Sequence, residues 1–357
     1  MDVENQSLIS KTINSQPTQP TQTSRFTIAI WSILLVLTVS GTNISLPLFV
    51  KELTNVPATP SPSPSIDQLK SYFVLFIGSL CFMLSFNTFS YFETTQFQAT
   101  KKAQVHMFLI GLFNVLSDIC VVISCGENRT PVMIQGILSQ SNFIFTFVFS
   151  RVLKHDTLIK KQNIGVVLVM IGIVTSLIPM ITKTTDLTLI NLGWSSLFCL
   201  GYAFASLSIV YSDYSFKEYD MPVFKQLALS CNYQFGFYCV LLPCVLLSHN
   251  ANPFTSIKDF GELFYYFFTT FVGLTGTLYI AFYIGVYISV SFVLKHMSAN
   301  YSKLVESLVC VVTVTFWLTF PWLNDRQVEL VEICLDYLAG VIVVCGIVVY
   351  VKLWDAR

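Results

Sequence analysis

Across 357 residues the chain is 54% hydrophobic and only 11% charged, with equal numbers of basic and acidic side chains and a mean hydropathy of +0.66. Soluble domains carry about 25% charged residues, so this composition excludes a water-soluble fold; with no basic block, nothing points to nucleic acid. The ten cysteines form no C-x-x-C pair and no zinc-like spacing, which reads them as small buried apolar residues and implies neither a metal nor a cofactor.

Residues 1–25 are mostly polar and lack the basic-then-apolar order of a cleavable signal, so they are expected to form a disordered tail. A bilayer-crossing helix needs about 20 mainly apolar residues, because no backbone group can stay unpaired in lipid. Ten such runs follow: 26–50, 70–91, 103–124, 131–150, 162–181, 189–212, 223–248, 261–293, 299–320 and 332–352. The eighth exceeds the length of one span, yet Gly273, Thr277, Ala281, Gly285 and Ser289 recur every fourth position along it. Length leaves tilting, extension beyond the bilayer or two segments open; the stripe suits close approach of a neighbouring helix and argues for one continuous segment. The Pro- and Ser-rich linker NVPATPSPSPSID is expected to be an extended loop, and residues 353–357 a short tail.

With the amino terminus in the cytoplasm, fourteen of the twenty Lys and Arg residues fall on the cytoplasmic side of this ten-span arrangement. The bias predicts both termini inside. The fifth run contains IGVVLVMIGIV and the tenth AGVIVVCGIVV. Two five-helix halves, 26–181 and 182–352, have opposite orientations because five is odd, which is the inverted repeat of carriers that alternate access around a midplane site.

A charge at bilayer depth costs at least about 2.5–3.5 kcal/mol and persists mainly where it faces protein or a wet cavity. Asp118, in the third run, lies roughly 20 Å from the cytoplasmic start of its helix at 1.5 Å per residue, and Asn114 shares its face one turn earlier. The fourth run adds Gln135, Ser139, Gln140 and Asn142; the ninth adds Ser302, Lys303, Glu306 and Ser307. The fourth and ninth runs hold matching places in the two halves, so a site at the repeat interface would draw on both.

Three readings of Asp118 stand at this level: a substrate or proton site, since a carboxylate in a low-dielectric cavity can take up and release a proton, a structural hydrogen-bond partner between helices, and a misplaced helix boundary. For Lys303 and Glu306, local pairing within snorkelling reach of the interface is the simpler reading. Gln135, Gln140 and Asn142 fit a cavity wall or interhelical glue equally well. Tyr279, Tyr283 and Tyr287 are expected to pack or face lipid, while Asn87 and Asn232 are isolated. There is no H-E-x-x-H, G-x-S-x-G or P-loop motif, so an enzyme is not expected.

Two stretches, VMIQGILSQSNFIFTFVFSRVLKHDTLIKKQNIGVVLVMIGIV (Val132 to Val174) and YISVSFVLKHMSANYSKLVESLVCVV (Tyr287 to Val312), resemble the chloroquine-resistance-transporter-like (CRT-like) group of the drug/metabolite transporter superfamily, known from protozoa and plants. The first matches the family's polar fourth helix with its basic turn and the second its eighth-to-ninth helix junction, and LDYLAGVIVVCGIVVYVK fits the spacing that follows. The loop SHNANPFTSIKDF departs from the pattern: malarial members carry a longer, cysteine-rich loop there. The resemblance implies an all-α integral membrane fold of ten transmembrane helices in two inverted five-helix repeats.

It further implies a carrier of amino acids, short peptides, glutathione-like thiols or basic drugs, out of an acidic vacuole or across a plastid envelope; with no plastid-type transit peptide evident the vacuole is favoured, and the buried carboxylate makes a proton-linked carrier the leading reading. The substrate and proton site would be Asp118, Asn114, Gln135, Ser139, Gln140, Asn142 and Glu306. The expected partners are a small organic solute, protons and the lipid bilayer, and a monomer is favoured. A nucleobase or nucleotide-sugar carrier of the same superfamily is the nearest alternative; a non-transporting scaffold or receptor is the alternative of another class.

Overall fold

The computed structural model describes residues 22–54, 64–95, 97, 99–124, 139, 141–154, 160–183, 189–249, 253–319 and 330–355. Among these the only regular secondary structure is α-helix, and the first helix begins at Gln22, four residues before the first apolar run. In chain order the helices are α1 (Gln22–Thr54), α2 (Pro64–Phe92), α3 (Lys101–Ser124), α4 (Ser141–Lys154), α5 (Lys160–Lys183) and α6 (Leu189–Tyr219). They continue with α7 (Val223–His249), α8 (Pro253–Thr269), α9 (Phe271–His296), α10 (Ala299–Glu306), α11 (Val309–Thr319) and α12 (Leu330–Asp355). Six of them are long and apolar enough to cross a membrane: α1, α2, α3, α6, α7 and α9. Shorter apolar segments lie in α4, α5 and α12.

Two runs are divided. The eighth is not one helix: the chain breaks at Thr270, whose extended backbone precedes α9, and α8 covers most of what reads as the preceding loop. The small-residue stripe begins at Gly273, after the break, so it describes α9 alone. Within it, Ser289 is buried and a Cβ on Gly285 would meet Thr38 of α1 at 2.6 Å, while Thr277 and Ala281 are exposed. The ninth run turns at Ser307 and Leu308 between α10 and α11.

Close pairs organise the bundle: α5 with α12, α1 with α9, α3 with α6, and α2 with α7. The two similar glycine-containing segments are the ones that meet in α5 and α12. A Cβ on Gly165 would come within 2.8 Å of the Gly346 carbonyl oxygen, and one on Gly346 would meet the Gly165 oxygen at the same distance. Backbones this close exclude any side chain at the crossing, which is how small residues substitute for the hydrophobic effect between helices in lipid. Around α2, α7 and α8 the core is aromatic: the Phe73 ring lies 5.0 Å from that of Phe264 and 5.7 Å from that of Phe260, both edge-on. Of the cysteines, Cys231 is buried, but Cys239, Cys244, Cys334 and Cys345 are exposed on their helices, against the expectation of uniform burial.

Candidate functional site

Asp118 sits on α3 where that helix packs against α6 and α7, and its side chain points into the bundle. Gln234 Nε2 and Tyr238 OH, one turn apart on α7, both donate to Asp118 Oδ2, at 3.0 and 2.9 Å. Hydrogen bonds to a charged group contribute about 1.5–3 kcal/mol each, so two of them offset a membrane insertion cost of about 2.5–3.5 kcal/mol. The remaining oxygen, Oδ1, takes no hydrogen bond from the described residues. Among the described residues, no Lys or Arg is a hydrogen-bond or ion-pair partner of Asp118.

The chain of bonds extends outward. Gln234 Oε1 accepts from Asn114 Nδ2 and from Tyr287 OH of α9, each at 3.4 Å. Asn114 Oδ1 in turn accepts from Ser208 Oγ of α6 at 2.6 Å. Tyr72 OH of α2 donates to the Tyr238 carbonyl oxygen. One polar chain thus ties α3, α6, α7 and α9, with α2 bracing α7. Gln234, Ser208 and Tyr238 are themselves almost fully buried. Phe82 closes the α9 side, its ring 5.1 Å from that of Tyr283 and 5.2 Å from that of Tyr287.

The structure therefore brings Asp118 and Asn114 together. Asn142 belongs to a second polar contact: Ser206 Oγ donates to Asn142 Oδ1 at 2.7 Å and to its carbonyl oxygen at 2.9 Å. Ser206 and Ser208 are two residues apart on α6, so that helix joins the two contacts. Ser139 is partly buried. Gln135 and Gln140 lie outside the described residues.

Glu306 stands apart from both contacts, in a pair with Lys303 at 2.5 Å, with Ser302 Oγ donating to Glu306 Oε1 at 3.5 Å. The pairing is local, but Lys303 is only 5% exposed, so it does not snorkel to the interface. It packs within α10, whose neighbours are α4 and α1. Among the described residues, no group of three or more His, Cys, Asp and Glu side chains is arranged to hold a metal ion.

The sequence reading missed Gln234, Tyr238 and Ser208, and Tyr287 joins the polar chain instead of serving only as packing. Asn87 and Asn232 are not isolated: their amides exchange two hydrogen bonds, at 2.7 and 3.2 Å, between α2 and α7. The one cue available was that α7 carries Gln234 and Tyr238 at helical spacing inside an otherwise apolar run.

Comparison with the curated proteins finds no match. A chain of known crystal structure superposes with a TM-score of 0.61 at 12% identity, covering 92% of this chain and 96% of that one, a likeness that shows the fold alone. The family model described as CRT-like, chloroquine-resistance transporter-like, matches residues 28–260, which include α3, α6 and α7 of the polar chain. A multi-pass membrane protein by its helices, this chain belongs to the CRT-like family of transporters.

Proposed function

We propose that the chain is a secondary-active carrier of small organic solutes bearing a positive charge, driven by protons out of an acidic vacuole. The observation that carries this reading is the environment of Asp118: a carboxylate inside the bundle, held by neutral donors, with one oxygen unengaged among the described residues and linked through Gln234 to Tyr287, whose ring packs against that of Tyr283. A carboxylate with tyrosines on the neighbouring helices suits an amine or other organic cation, because a ring quadrupole adds to the Coulomb attraction. Asn114 and Gln234 would hydrogen-bond the solute's neutral groups, with Asn142, Ser139, Gln135 and Gln140 on the fourth run.

Ten spans in two inverted halves, with both termini in the cytoplasm, are part of the same proposal. The pairing of helices supports it. Moving each span of the α1–α9 pair by five places gives α6–α3, which is also a close pair, while α2–α7, α4–α10 and α5–α12 join spans with their own counterparts. Such self-consistency is what a two-fold axis in the membrane plane produces. A nucleotide-sugar carrier fits less well, since an anionic solute needs cations. Lys303 is paired with Glu306, and Lys295 donates to the Met221 carbonyl oxygen at 3.1 Å.

Uptake into proteoliposomes of amino acids, short peptides, glutathione, nucleobases and a basic drug, with and without an imposed pH gradient, tests the reading. The expected result is accumulation of an amine-bearing solute, raised severalfold by the gradient. Uptake of neutral nucleobases alone, or accumulation indifferent to the gradient, contradicts it.

A further inference from the structure

In the polar chain every donor points the same way. Ser208 donates to Asn114, Asn114 to Gln234, and Gln234 to Asp118, so the dipoles add up on the carboxylate. The amide orientation of Gln234 is fixed by chemistry, since a carboxylate only accepts and Nε2 only donates. Tyr287 OH then meets the acceptor end of the same amide. Among the described residues, Gln234 is thus the one bonded to both Asn114 and Asp118 of α3 and to α9.

We propose that Gln234 is a positioning residue whose amide turns over when Asp118 gains or loses a proton, so that the whole chain reverses and the charge state of Asp118 is felt on α6 and α9. This deepens the carrier reading and takes from it that Asp118 alternates between charged and neutral. A proton from water adds to a carboxylate oxygen, forming one O–H bond, and leaves again to water. While it is present the new hydroxyl needs an acceptor, and the Gln234 Oε1 end supplies one by rotation of the amide. Nε2 then donates toward Asn114 Oδ1 and the Tyr287 oxygen, and Asn114 in turn donates to Ser208. Ser208 loses its acceptor and returns its proton to a carbonyl one turn back on its own helix, as serines in membrane helices commonly do. Ser208, Asn114 and Gln234 can each both donate and accept, so the chain can run in either direction, with the Tyr287 hydroxyl accepting from Gln234 and turning its own proton away in the reversed one.

Among the described residues, the titratable groups that interact with Asp118 are Cys231 and Tyr238 of α7 and Tyr283 and Tyr287 of α9; from α6 Ser208 acts through Asn114, and from α2 Tyr72 acts through the Tyr238 backbone. None is a cation or a second carboxylate. The charge of Asp118 therefore dominates the direction of the chain.

Acid-minus-neutral difference infrared spectra of the purified full-length chain test the proposal without requiring transport. The expected wild-type spectrum pairs a carboxyl C=O band with a shift of side-chain amide C=O bands, and both vanish in Asp118→Asn. Gln234→Met should keep the carboxyl band and lose the amide shift, and Gln234→Asn should restore part of it. A wild-type carboxyl band without any amide shift, or an amide shift that persists in Gln234→Met, overturns the relay; the first criterion needs no variant to fold. The two readings fail separately. Proton-linked uptake with silent amide bands removes the relay and leaves the carrier, whereas paired bands in a chain that moves none of the solutes tested remove the carrier and leave the relay.

Discussion

Asp118→Asn is expected to lower uptake of a cationic solute about tenfold to a hundredfold and to leave the residual rate flat between acidic and neutral pH. The range follows from losing one interaction with a charged group, about 1.5–3 kcal/mol, at 1.4 kcal/mol per factor of ten. The substitution is chosen because the asparagine oxygen can still accept from Gln234 and Tyr238, so neither buried donor is orphaned and the helices stay packed. Asp118→Ala removes both acceptor bonds at once and would confuse loss of folding with loss of transport. Initial rates in proteoliposomes across a pH series check the prediction; a rate that keeps the wild-type pH dependence in Asp118→Asn contradicts it.

Lys303→Met is expected to destabilise the fold by about 3 kcal/mol, the low end of the range for breaking a buried ion pair, since Glu306 keeps 17% exposure. The methionine fills the volume of the lysine stem, so the loss comes from leaving the Glu306 carboxylate without its partner inside the bundle. Adding Glu306→Gln should recover most of the loss, because two neutral side chains need no ion pair. Thermal unfolding in detergent of both single variants and the double variant measures this. A Lys303→Met protein as stable as wild type would mean that the pair contributes nothing despite its burial.

The readable part of the fold was the part that lipid dictates locally. Apolar runs announced the helices because each must satisfy its own backbone, and Asp118 stood out because a lone carboxylate in such a run is costly. Gln234, Tyr238 and Ser208 did not stand out. Each is an ordinary neutral side chain whose meaning lies in a partner on another helix, more than ninety residues away along the chain. Neither 3.6-residue spacing nor composition encodes such a meeting.

The divided runs failed for different reasons. In the eighth, length allowed two segments, but the small-residue stripe was credited to the whole run when it lies entirely beyond Thr270. In the ninth, the turn at Ser307 and Leu308 has neither proline nor glycine to announce it. The polar character of NYSKLVES was the available cue there, and burial of Asn300, Ser302 and Lys303 in α10 shows that packing overrode it.

The most direct test of the central claim, that Asp118 meets the transported solute inside the bundle, is protection from a hydrophobic carbodiimide, which attacks protonated carboxyl groups buried in membranes. Peptide mass spectrometry of the full chain should find Asp118 modified more at acidic than at neutral pH, with an amine-bearing solute reducing modification in proportion to its uptake. Modification that no transported solute diminishes, or none at Asp118 at any pH, would contradict the account.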